Sequence, residues 1–93
     1  MSDSVLRFPI DSKSEQEIDM PDGALILGVH FPVDRPYLFA LGDHSKPTVK
    51  RTIDSYYTNE IIYGPAKRIY IGTYQVKNTN KMMHVFERLN DFE

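Results

Sequence analysis

The chain has 93 residues, 41% of them hydrophobic, 12% aromatic and 26% charged, with no cysteine and a formal net charge of −2. This length holds one small core rather than two; the apolar content excludes wholesale disorder, and the lack of cysteine excludes disulfides and thiolate metal sites. The small net charge conceals two opposed segments, −5 over residues 1–34 and +5 over residues 35–81, which marks either a partner-binding surface or acidic and basic strands that neutralise each other as neighbours.

The opening Met1-Ser2-Asp3-Ser4 is polar and acidic, without the basic and apolar regions of a signal peptide, so a cytoplasmic location is expected. Val5 to Phe8 alternates in part and then meets Pro9, whose missing N–H suits an edge strand. Glu15 to Met20 sets Gln16, Ile18 and Met20 on one face and Glu15, Glu17 and Asp19 on the other, which predicts a half-exposed strand. Pro21-Asp22-Gly23 is a turn, because proline presets φ and glycine accepts positive φ. Ala24 to Phe31 is apolar on both faces, with Leu25, Leu27, Val29 and Phe31 on one of them, and is expected to be the central strand. The longest near-continuous apolar stretch, Ala24 to Val33, contains His30 and Pro32 and is far short of the roughly 20 residues that cross a bilayer, so no membrane partner is expected.

A short loop leads into Tyr37 to Leu41, which predicts an antiparallel hairpin over 24–41. Val49 to Tyr57 is a further strand, Thr58 to Lys67 is undecided because Gly64 and Pro65 interrupt Ile61-Ile62-Tyr63, and Arg68 to Val76 is a strand with Gly72 as a bulge or close backbone approach. Met82 to Phe86 completes a second hairpin over 69–87, and residues 88–93 read as a frayed tail. The expected architecture is a single domain over 1–93, all-β, a small antiparallel barrel or sandwich of six to seven short strands with little or no helix. Its core is expected to enclose Leu25, Leu27, Val29, Phe39, Leu41, Ile71, Val85 and Phe86. Because so small a domain buries a modest share of its surface, homodimerisation would add to its stability.

Chemistry-bearing patterns are sparse. His30, His44 and His84 have no short ligand spacing, so no metal site is predicted, and His30 and His84 read as partly buried strand histidines. No serine elbow, S-x-x-K pair or glycine-rich phosphate loop is present, so no cofactor and no catalytic residues are expected and the protein is read as not an enzyme. Glu15, Glu17 and Asp19 follow one another about 7 Å apart along their strand, a spacing that could suit an acid–base pair, but they read as a solvated outer face.

Arg51, Tyr56, Tyr57, Lys67 and Arg68 combine long cations with aromatic rings and are the predicted partner-binding residues, with both arginines expected at exposed strand ends. The pI of about 5.9 speaks against direct nucleic-acid binding, and tyrosines are also ordinary strand formers. Glu15, Glu17 and Asp19, as a phosphate-mimicking face, form the alternative partner-binding set.

Arg7-Phe8-Pro9-Ile10, the block Gln16 to Val29, Leu38-Phe39-Ala40-Leu41, Tyr70-Ile71-Gly72-Thr73-Tyr74 and His84-Val85-Phe86-Glu87 resemble a family of short bacterial and bacteriophage proteins, a domain of unknown function. The resemblance spans about 80 of the 93 residues and brings no catalytic residues; Met83 stands where related chains often carry a bulky aromatic. It implies a phage or prophage setting and a small β fold. In that setting the expected role is that of an accessory protein which binds and inhibits a host protein or protein–nucleic acid complex, as anti-CRISPR-like anti-defence proteins do; the alternative is a module that sequesters a nucleotide or small anion.

Overall fold

The computed structural model describes residues 2–89. They form seven strands and no helix: β1 (Ser4–Pro9), β2 (Glu15–Pro21), β3 (Leu25–His30), β4 (Tyr37–Gly42), β5 (Thr48–Tyr57), β6 (Arg68–Gln75) and β7 (Met82–Arg88). Every pairing is antiparallel, in a three-stranded sheet of order β1-β4-β3 and a four-stranded sheet of order β2-β5-β7-β6. The architecture is the all-β one that the alternation predicts, sandwich-like rather than a closed barrel. Between the inner faces lie Met20, Leu38, Ala40, Ile53, Tyr74, Met83 and Val85, all buried, with Phe8, Ile18, Ile26, Val29 and Ile71 packed around them.

Strand β2 follows its pattern, with Ile18 and Met20 turned inward and Glu15, Glu17 and Asp19 exposed. It runs beside β5 with Asp19 opposite Lys50 and Ile18 opposite Arg51, so the acidic and basic segments are neighbours. At Pro21-Asp22-Gly23 the Ala24 N–H donates to the Pro21 carbonyl at 3.1 Å, and Gly23 has φ +80. This turn hands the chain from one sheet to the other.

Both predicted hairpins form, but β3 is an edge strand and β4 is the middle of its sheet. The reason is a bulge. Ile26 faces Ala40 and Gly28 faces Phe39, leaving Leu27 as the extra residue. One extra residue inverts the alternation, so Leu25 and Leu27 point outward, 60% and 52% exposed, while Ile26 and Val29 pack inward. On β4 the buried residues are correspondingly Leu38 and Ala40 rather than Phe39 and Leu41. Of the expected core residues, Val85 is fully buried, Val29 and Ile71 pack against the core, and Phe86 is partly buried on the outer face.

Gly72 is both things its position suggested. The β6 register shifts between Tyr70 and Gly72, and a Cβ on Gly72 would lie 2.8 Å from Val29 Cγ1. Gly72→Ala is therefore expected to destabilise the fold by about 1–3 kcal/mol, the usual cost of overpacking. Chemical denaturation should show this loss, and Val29→Ala in the same chain should recover part of it.

Arg88 closes β7 instead of beginning a frayed tail, and the Leu89 N–H donates to the Lys67 carbonyl at 2.9 Å. Residues 90–93 lie outside the described part.

Candidate functional site

Strands β5 and β6 each pair antiparallel with β7, so they are parallel to one another and the chain must cross over β7 to join them. Residues 58–67 make that crossing over the outer face of the four-stranded sheet. Underneath lies Asp54, only 1% exposed although it sits on an outward-facing strand position. The Arg68 Nε–H donates to Asp54 Oδ2 at 3.1 Å, Arg88 Nε lies 3.6 Å from the same oxygen, and the Tyr56 hydroxyl approaches it at 3.4 Å. Arg88 also donates from Nη2 to Glu15 Oε2 at 2.7 Å, and Arg68 from Nη1 to the Ala66 carbonyl at 3.0 Å. Arg68 thus neutralises a buried carboxylate and pins the end of the crossover in one act.

The electrostatics follow from this burial. The Tyr56 phenol is pushed up from its ordinary value by burial and by the Asp54 charge, with Arg68 opposing. Burial pulls the Arg88 guanidinium down, but its bond to Glu15 and the Asp54 charge outweigh that, so it is held more firmly protonated. A cavity of about 270 Å³ remains beside the cluster, lined by Ser14, Glu60, Ile61 and Tyr63 together with the charged groups.

The predicted partner-binding residues do not form one patch. Tyr56 and Arg68 are together, with the guanidinium 5.7 Å from the ring centroid, and Lys67 is exposed at the adjoining end of the crossover. Arg51 is on the inner face, where it makes a two-point ion pair with Glu87 and donates to the Ala24 carbonyl at 2.9 Å, tying β5 and β7 to the turn between the sheets. Tyr57 lies at the far end of β5 with Lys81 Nζ 5.4 Å from its ring centroid. The expectation that Arg51 and Arg68 stand at exposed strand ends fails: their side chains are 19% and 12% exposed, each drawn inward by a carboxylate.

In the alternative set, Glu15 is paired with Arg88 and Asp19 with Lys50, the latter at 3.2 Å. Glu17 faces Thr52 and forms no ion pair among the described residues. Two ion pairs, Arg35 with Asp11 and Lys50 with Asp19, join the acidic and basic segments, so the charge asymmetry is met in part by pairing.

What residue patterns missed is apolar. Ile61 is 67%, Ile62 42% and Tyr63 80% exposed on the crossover, and Tyr70 stands outward nearby on β6, edge-on to Phe86 at 5.5 Å. The signal was present: three consecutive large apolar residues between a polar turn and Gly64-Pro65 cannot all face one core. Beside them a hydrogen-bonded row joins Thr58 Oγ1 to His84 Nε2 at 2.7 Å, His84 Nδ1 to Thr73 Oγ1 at 3.0 Å, and Thr73 Oγ1 to the Tyr70 hydroxyl at 2.5 Å. His84 is partly buried as expected, with hydroxyl rather than backbone partners, whereas His30 is exposed at the end of β3. Among the described residues no group of three His, Asp or Glu side chains is placed to hold a metal ion, and no helix is long and apolar enough to cross a membrane.

These features define a two-sheet β domain with a pinned, outward-facing apolar crossover. The chain belongs to the DUF7352 family, a domain of unknown function, whose model matches residues 1–93. No curated protein and no solved structure matches it.

Proposed function

We propose that the chain is a non-enzymatic binding module that engages a protein partner through the crossover. The observation that carries this reading is the outward display of Ile61, Ile62 and Tyr63 by a segment anchored through Arg68 and Ala66. Exposed aromatic and aliphatic groups on a rigid support are the usual anchors of protein interfaces, and Lys67 beside them adds orientation. In the phage or prophage setting implied by the resemblance, the partner is a cytoplasmic host complex that the module inhibits. The sequestering alternative is less well supported, because the guanidinium groups it would use on an anion already face carboxylates.

The test is a pair of surface variants offered to a lysate of the source cell. Ile61→Asp with Tyr63→Asp should keep the strand content and lose partner capture by at least about tenfold, as expected for truncated anchors. Glu17→Lys should bind normally. The reverse outcome, binding lost with Glu17→Lys and kept by the crossover variant, would transfer the interface to the acidic face.

A further inference from the structure

We propose that the outer face of the three-stranded sheet is a homodimer interface, packed face to face on the same surface of a second copy of this chain. Strand register fixes what that face carries. Val5, Leu41 and Leu25 lie side by side across β1, β4 and β3; Arg7 and Phe39 form the next row, with the bulged Leu27 beside them, and Pro9, Tyr37 and His30 the last. Val5, Leu25 and Leu27 are 62%, 60% and 52% exposed, and the β4 side chains between them are half-buried. Arg7 is the one charged side chain of the face, and its guanidinium lies 4.6 Å from the Tyr37 ring centroid. An antiparallel sheet with one side in water normally turns its polar residues outward. The four-stranded sheet does so, with Glu15, Glu17, Asp19, Lys50, Arg68 and Arg88 on its outer side. The three-stranded sheet instead presents a contiguous apolar patch, the kind of surface that marks an interface.

Area and closure identify the occupant. The Cα atoms span 42 × 36 × 15 Å, a slab two sheets thick. The chain exposes 6225 Å², whereas about 5,500 Å² is usual for a folded chain of 10.8 kDa. The surplus of about 700 Å² is close to the roughly 800 Å² that each partner gives to a standard interface. A face without carboxylates, its one cation already stacked on a ring, is complemented by another apolar face. The chain offers two, this one and the crossover on the opposite side of the slab. Packing this face on the crossover of the next copy is head-to-tail and runs on into a filament, whereas packing it on itself about a two-fold axis closes at two. An axis along β4 sets β1 of one copy over β3 of the other, so each Arg7 meets apolar side chains; an axis across the strands would set the two Arg7 guanidiniums against each other. Both crossovers then remain open on the outer sides of the dimer.

An interface of this area, held by apolar contact without a charged pair, belongs at the weak end of the micromolar range, with a dissociation constant of about 10–100 µM. Unfolding measured at low micromolar concentration therefore reports on the monomer.

The experiment is sedimentation equilibrium of the whole chain from about 5 to about 500 µM, a span that brackets this constant. The mass should rise from 10.8 kDa toward twice that value. Leu25→Glu with Leu27→Glu should stay at the monomer mass throughout and keep its circular dichroism, because both side chains are exposed in the monomer. Ile61→Asp with Tyr63→Asp should dimerise as the unaltered chain does. In a mixed-label sample of the unaltered chain, isotope-filtered NOEs should join Phe39 to the same face of the second copy, a readout that needs no variant. A monomer mass at the highest concentration, growth beyond the dimer mass, a dimer that survives the β3 double variant, a dimer lost with the crossover variant, or intermolecular NOEs from another face would each overturn the proposal.

Discussion

Arg68→Glu is expected to unfold the domain or bring it close to unfolding. The substitution removes the guanidinium that faces Asp54, a carboxylate 2% exposed at its side chain, and sets a second acid against it. Breaking a buried pair by deleting one partner costs about 3–5 kcal/mol, and here Arg88, 3.6 Å from the Asp54 carboxylate and already bonded to Glu15, is left as the one cation facing it; a small domain has about 5–15 kcal/mol in total. The same change frees the crossover, whose Ala66 carbonyl loses its donor. Thermal and urea unfolding should show the loss directly. Replacing both partners with uncharged groups of similar shape, Arg68→Met with Asp54→Asn, should recover much of it, since no charge is then stranded. A fully stable Arg68→Glu protein would mean that Asp54 is solvated and that the cluster is an ordinary surface network.

Leu38→Ala should cost about 2–5 kcal/mol, the range for a large-to-small change in a closed core, while Leu25→Ala should stay within about 0.5 kcal/mol, as exposed substitutions do. Leu38 is completely buried and Leu25 is 60% exposed. Alternation alone assigns these residues the other way round, so the pair of measurements decides whether the bulge at Leu27 sets the faces of the three-stranded sheet. Comparable losses for both variants would show that it does not.

The contrast shows where the sequence is readable. In β2, period-two alternation runs unbroken from Glu15 to Met20, and burial follows it residue by residue. The hairpins were legible because short polar loops leave few alternatives for antiparallel neighbours. In β3 nothing in Leu25-Ile26-Leu27-Gly28 distinguishes a bulged strand from a regular one, since both faces are apolar; only the register against β4 reveals it. Gly72 could be flagged because a glycine within an aromatic and β-branched run has few other reasons to be there.

The site was harder to read for a related reason. Arg51 and Arg68 were visible as cations, but their partners, Glu87 and Asp54, are 36 and 14 residues away, and no local pattern couples them. Once paired, these arginines act on the fold more than on any partner. Ile61-Ile62-Tyr63 was ambiguous as a segment because its role depends on the order β5-β7-β6, which sends the connection over the outer face of the sheet, the inner one being covered by the core.

The most direct test of the central claim, that the crossover is the binding surface and the charges beneath it are its support, is site-specific photo-crosslinking in the source cell. A benzophenone amino acid placed at Tyr63, 80% exposed, should capture one protein partner, while the same group at Glu17 on the acidic face should capture none. Capture from position 17 with none from position 63 would contradict the account.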